Sequence, residues 1–123
     1  MEKQLPLTGL NTVSVHKATE ETFNWREYMF PILGDFHLRG FFIPYLDIKA
    51  IADLHNVEGM RAYFCLKTPD DFSSISLVVV PVDKEGHDII YEETTLVGEE
   101  GNSSIYDLTR PCPDFCDQAS LLY

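Results

Sequence analysis

The sequence predicts an α+β fold, two N-terminal helices packed on a small antiparallel β-meander, in a single domain spanning residues 1–123. Three observations carry that prediction. Helical periodicity is confined to the first half of the chain and strand patterns follow it. Elements segregated in this way pack helices on one face of an antiparallel sheet. Residues 60–66 alternate between apolar and more polar side chains, the period of a strand with two different faces. Residues 75–80 are nearly all β-branched or leucine, as in a strand buried on both faces. A length of 123 residues suits one domain. Fifteen aromatic residues within a 45% hydrophobic composition supply one core and argue against disorder.

Residues 1–18 read as an extended lead-in, with a short strand expected over 12–16. The first helix is expected over 20–29. Thr19 is placed to cap it, and Glu20 and Glu21 fall in its first turn, where carboxylates suit the positive end of the helix dipole. Trp25, Tyr28, Met29 and Ile32 recur at helical spacing. Pro31 disfavours helical geometry at Phe30, so the helix should stop near Met29. A connection through 34–40 leads to a short strand at 40–43. The second helix is expected over 44–56. Pro44 suits its first position, where a missing N–H has no intrahelical partner, and Gly59 is a stop signal. Ile48, Ala50, Ile51, Leu54 and Val57 share one arc of it.

In the strand 60–66, Met60, Ala62, Phe64 and Leu66 take one face and Arg61, Tyr63 and Cys65 the other. Ile51, Leu54, Phe64 and Val79 are expected to meet at one helix–sheet interface. Thr68 to Asp71 is turn chemistry. Pro81 must lie near a strand end, at an edge or a bulge. Asp83-Lys84-Glu85-Gly86 is a four-residue turn that should join 75–82 to 87–92 as a hairpin. Residues 93–103 read as a mobile acidic loop, 105–108 as a last short strand, and 109–123 as a cysteine-containing tail.

The formal charge is −11. Residues 1–60 carry five Lys/Arg against eight Asp/Glu, and residues 61–123 carry four against twelve. Such a balance excludes direct binding to a nucleic-acid backbone, which needs cations facing phosphates. An acidic surface serves solubility, or it steers the chain toward a basic partner. The first residues lack a basic start followed by an apolar stretch, and no apolar run approaches the ~18 residues of a membrane helix. The protein therefore reads as cytoplasmic and not membrane-bound, with reduced thiols as the default. Three cysteines also fit poorly with a closed disulfide framework.

Cys112 and Cys116 are four apart and form half of a zinc site at best, which a histidine among His16, His37, His55 and His87 would have to complete. A packed tail clip, a metal site, a disulfide and a redox pair all stay open, although a redox pair normally has two intervening residues. Arg61 and Tyr63 project from one strand face and could line a pocket for an anionic ligand. The alternative is an Arg stem covering apolar surface and pairing with a carboxylate nearby. Asp70-Asp71, Glu92-Glu93 and Glu99-Glu100 lie in expected turns or loops. No nucleotide-binding or phosphate-binding glycine motif is present.

The run Val57-Glu58-Gly59-Met60-Arg61-Ala62-Tyr63-Phe64, the strand Leu77 to Val80, the turn ending in Gly86 before Asp88, and the ending Pro111-Cys112-Pro113-x-x-Cys116 occur in that order. Together they resemble a group of small uncharacterised proteins of Bacteroidetes bacteria. Those share a G-x-R-x-Y-F strand, a V-D-x-x-G-x-D hairpin and a terminal P-C-P-x-x-C. The likeness spans roughly residues 40–116 and implies a fold rather than a reaction.

The composition points to a non-catalytic acidic interaction protein, an accessory, inhibitory or self-assembling subunit. Its partner would be a protein or a second copy. Phe41, Phe42 and Phe72, with Phe36, supply aromatic contacts of the kind found at interface cores. Glu92, Glu93, Glu99 and Glu100 supply the acidic surface. The alternative is a small metal- or ligand-binding protein, with or without enzymatic activity, using Cys112 and Cys116 with zinc, or the Arg61/Tyr63 face. No other cofactor is implied.

Overall fold

The computed structural model describes residues 11–92, 103–107 and 109–123. Among the described residues two helices and four short strands make a mixed α+β fold, and the ladders are antiparallel. The chain divides into two compact units. One holds residues up to Arg39 together with Asp117–Tyr123, and the other holds Gly40–Cys116.

The first unit is built on helix α1, Val15–Leu33. It begins five residues before the expected start, and the strand expected over 12–16 does not form. Ser14 is the cap, its hydroxyl accepting from Lys17 N at 3.0 Å. Thr19 lies inside the helix and donates to Val15 O at 2.7 Å, the back-bond that threonine makes within a helix. The helix also runs through Pro31 and ends only at Gly34, whose φ of 65° a side chain would disfavour. The segment after it returns to the helix: Trp25 Nε1 donates to Leu38 O at 2.8 Å, and the Phe30 ring stacks on His37 at 5.0 Å. These contacts hold the last turn despite the hydrogen bond that proline cannot make.

The second unit contains β1 (Gly40–Phe42), α2 (Tyr45–Ala52), β2 (Gly59–Leu66), β3 (Ile75–Val82) and β4 (Arg110–Cys112). In place of one meander there are two two-stranded sheets, β1 with β4 and β2 with β3. The tail cysteine Cys112 thus lies in a strand, opposite Gly40. Helix α2 is shorter than expected. Pro44 precedes it as the cap, its carbonyl accepting from Asp47 N at 3.1 Å, and Asn56 turns the chain with a φ of 61°.

Strand β3 carries the core. All its residues but Val78 are buried, and Val79 is fully so. Its pairing with β2 is unbroken from Gly59 opposite Val82 to Leu66 opposite Ile75. Its other edge is closed piecemeal. Val79 exchanges two backbone hydrogen bonds of 2.8 Å with Tyr106, and Ile89 N donates to Pro81 O at 2.8 Å. The Thr109 hydroxyl accepts from Leu77 N and donates to Leu77 O. The strands expected over 87–92 and 105–108 are therefore represented by isolated bridges at Asp88 and Tyr106. Leu108 and the loop expected over 93–103, apart from Ser103, lie outside the described residues.

The expected helix–sheet interface is corrected at two members, Leu54, which lies past the end of α2 and is only half-buried, and Phe64. Ile51 and Val79 are buried, but Phe64 is 75% exposed. Helix α2 has eight residues, a rise of about 12 Å, whereas an eight-residue strand extends about 27 Å. The helix is too short to cover β2. Ile51→Ala should cost ~2–5 kcal/mol, the range for emptying a buried site. Phe64→Ala should shift the stability of the single chain by under ~0.5 kcal/mol. Urea unfolding of both variants in dilute solution checks the pair.

Candidate functional site

Strand β2 presents two chemically different faces. On one of them Arg61 and Tyr63 converge on Asp88, beyond the hairpin turn. Arg61 Nη1 and the Tyr63 hydroxyl donate to the two carboxylate oxygens of Asp88, and Arg61 Nη2 donates to Gly86 O at 3.2 Å. The turn that positions Asp88 is held by Asp83, whose Oδ1 accepts from Glu85 N and His87 N at 2.9 Å each. The Tyr63 hydrogen bond, followed by the Arg61 guanidinium, holds the Asp88 carboxyl below its ordinary range. The cluster fastens the turn to β2, and the guanidinium already has two protein acceptors. Asp88 itself was legible only as the aspartate two residues after the hairpin glycine. Its role depends on the register of three segments.

The opposite face of β2 is apolar and open. Met60, Phe64 and Leu66 are 41%, 75% and 46% exposed, and Ala62 between them is exposed as well. Sequence alternation grouped these four side chains correctly, but it could not show that they stand exposed.

The tail residues form a third cluster. Cys112 and Cys116 are joined by a disulfide, with Cα atoms 4.9 Å apart. Phe115 N donates to Pro111 O at 3.0 Å, which folds the segment back so that the sulfurs meet. Reduced thiols are the sequence expectation, and the bridge departs from it; bridged sulfurs are not metal ligands. Among the described residues no group of three or more His, Cys, Asp or Glu is placed to hold a metal ion. Phe42 packs edge-on against Phe115 at 4.9 Å, and the Arg110 guanidinium lies 4.7 Å above the Phe115 ring. Phe41 is half-buried, while Phe72 is exposed and opens the single turn that Asp71 caps. The structure therefore does not gather the three phenylalanines into one patch: Phe41 and Phe42 belong to β1 and Phe72 to the turn before β3. Glu92 is exposed and bridges to Ser103. Glu93, Glu99 and Glu100 lie outside the described residues.

Asp47 is a group that the sequence reading missed. It stands in the first turn of α2, is 3% exposed, and its Oδ2 has no hydrogen-bond partner. Burial, with a smaller effect from Asp107, raises its carboxyl above the ordinary range. The only signal in the sequence was an aspartate among apolar neighbours early in a helix. Asp107, whose carboxylate adds to the effect, is itself paired with the Lys67 ammonium at 3.0 Å.

The two carboxylates predict pH effects of opposite sign. Asp88, held low, contributes stability above the unfolded value of about 3.9 and loses it as pH falls through the folded value. The urea midpoint of Asp88→Asn should thus lie below wild type at pH 7, and the two should converge below about pH 4. Asp47, held high, favours the folded state when protonated and loses that contribution as pH rises through its folded value. Its favourable position near the helix N-terminus is worth ~0.3–1 kcal/mol, less than the ~1–3 kcal/mol of a buried unpaired polar group. Asp47→Asn should therefore be more stable than wild type by about 1 kcal/mol at pH 7, with the gain vanishing near pH 4. Urea titrations of wild type and both variants across that range check the signs.

Comparisons of the chain with protein-family models, with curated proteins and with solved structures find no match.

Proposed function

We propose that this chain is a non-catalytic interaction protein, an accessory, inhibitory or self-assembling subunit that works by binding another protein. The supporting observation is the open apolar face of β2, where Met60, Phe64 and Leu66 stand exposed side by side on an edge strand. Exposed edges with apolar side chains are a liability that proteins usually blunt with charge, proline or a bulge. Between Gly59 and Leu66 the ladder has no bulge, and Arg61 is the sole charged residue. A surface kept in that state has a use when a partner covers it.

The acidic charge supports the same reading. Residues 61–123 carry an excess of eight carboxylates, and a field of that sign speeds encounter with a basic protein while repelling nucleic acid. No helix among the described residues is long and apolar enough to cross a membrane. The likeness to the Bacteroidetes group rests on the order of its motifs, and it supplies no reaction that would compete with a binding role.

The test is capture from the native host on immobilised chain, identification by mass spectrometry, and binding kinetics with the purified partner. Wild type, Phe64→Asp and the combined Glu92→Gln/Glu93→Gln/Glu99→Gln/Glu100→Gln variant are compared at two salt concentrations. Phe64→Asp should weaken binding at least about tenfold, the factor that ~1.4 kcal/mol represents. The glutamine variant should slow association at low salt and flatten the salt dependence, because the Debye length shrinks from ~30 Å at 0.01 M to ~10 Å at 0.1 M. Affinity and rates unchanged in both variants would overturn the reading.

A further inference from the structure

We infer that the partner of the β2 edge is a second copy of this chain, paired antiparallel about a two-fold axis so that two β3–β2 ladders merge into one four-stranded sheet. The inference rests on the self-assembling form of the interaction reading above and names its partner; because both copies are acidic, the glutamine variant would then speed self-association rather than slow it.

The backbone polarity of the edge comes first. Lys67 N donates to Ser74 O across the ladder, just beyond Leu66 opposite Ile75. In an antiparallel ladder the backbone groups of successive residues point alternately toward the partner and away from it. Arg61, Tyr63 and Cys65 therefore face β3, and Met60, Ala62, Phe64 and Leu66 face outward. Strand β3 shows the same parity independently. Val79 and Leu77, the partners of Ala62 and Phe64, turn their backbone groups away from β2, to Tyr106 and Thr109. The outward N–H and C=O groups thus belong to the four residues whose side chains form the exposed apolar face.

A two-fold axis through Tyr63 makes this edge complementary to itself. Met60 then opposes Leu66 of the second copy, and Ala62 opposes Phe64, so each large side chain meets a small or flexible one. All four outward residues exchange both backbone hydrogen bonds, about eight in total, within the ~10 ± 5 of ordinary interfaces. Both copies give the same patch, as a closed two-fold interface requires.

Charge selects a second copy. The chain carries −11, yet residues 59–69 contain no carboxylate. Their two cations are paired within the chain, Arg61 with Asp88 and Lys67 with Asp107. The edge is locally neutral, so two acidic chains meet here without the repulsion that opposes contact through their carboxylate-bearing segments, while a strongly basic partner is drawn to those segments. One strand edge buries less than the ~800 Å² per partner of a standard interface, so the dimer is weak, with Kd roughly micromolar.

Sedimentation velocity over a concentration series tests the pairing, with Ala62→Pro and Phe64→Lys alongside wild type. The Ala62 N–H points outward, so proline there removes no β2–β3 hydrogen bond and is tolerated as on other edge strands. Far-UV circular dichroism of each variant verifies the fold. Wild type should pass from monomer to twice the monomer mass, and both variants should remain monomeric at concentrations where wild type is dimeric. Amide hydrogen exchange at Met60, Ala62, Phe64 and Leu66 should slow in the wild-type dimer alone. A monomer at every concentration, whether those amides are exposed or protected by another segment of the same chain, overturns the inference, as does a dimer that both variants keep. If wild type is monomeric yet a different protein binds it in a Phe64-dependent way, self-pairing fails while the interaction reading stands.

Discussion

Strand β3 must bury side chains on both faces and satisfy its backbone on both edges, and most of the second unit follows from that requirement. Eight consecutive residues with almost no polar side chain cannot be exposed on either face without losing their burial, which is worth roughly 1.5–3 kcal/mol for each large apolar side chain. Their peptide groups then lie away from water, where an unpaired donor or acceptor is costly. Strand β2 meets one edge in full. At the other edge, among the described residues, single residues take a strand's place: Tyr106 opposite Val79, Ile89 opposite Pro81, and the Thr109 hydroxyl at Leu77. Proline is admissible at position 81 because that edge needs no continuous row of donors.

Polar side chains elsewhere substitute for missing backbone partners in the same way. Buried Ser104 donates its hydroxyl to Ile89 O and accepts from Tyr91 N, tying residues 89–91 to the segment 103–107. Ser76 shares a hydrogen bond of 3.1 Å with Thr109 inside the core. Asp71 and Asp83 accept from the backbone of their own turns, and Asp88 joins the hairpin to β2. Asp71, Asp83 and Asp88 thus have structural tasks, whereas the buried Oδ2 of Asp47 has no hydrogen-bond partner.

Closing β3 in this way leaves β2 at the margin. An edge strand beneath a helix of only two turns keeps nearly all its side chains exposed. The polar row is drawn into the Asp88 cluster and the apolar row stays open. The binding role proposed for the chain follows from this division: stability is concentrated in β3, and the strand that shields one of its edges carries the surface available to a partner.

Local pattern was enough to place several elements. Alternation marked β2 to within one residue, the β-branched run marked β3 as buried on both faces, and Pro44 marked the start of α2. These signals survive because they depend on neighbours a few residues apart. The ends of α1 were less legible: Thr19 was expected to cap it but Ser14 does, and Pro31 was outweighed by contacts from Leu38 and His37 to the helix. Three features were decided by tertiary structure alone. The β1–β4 pairing brings Gly40 to Cys112, the Asp88 cluster needs β2 and the hairpin in register, and Phe64 is exposed because α2 ends before reaching it. Side-chain period states that two faces differ, but which face is covered depends on segments distant in sequence, and a single strand carries no record of them.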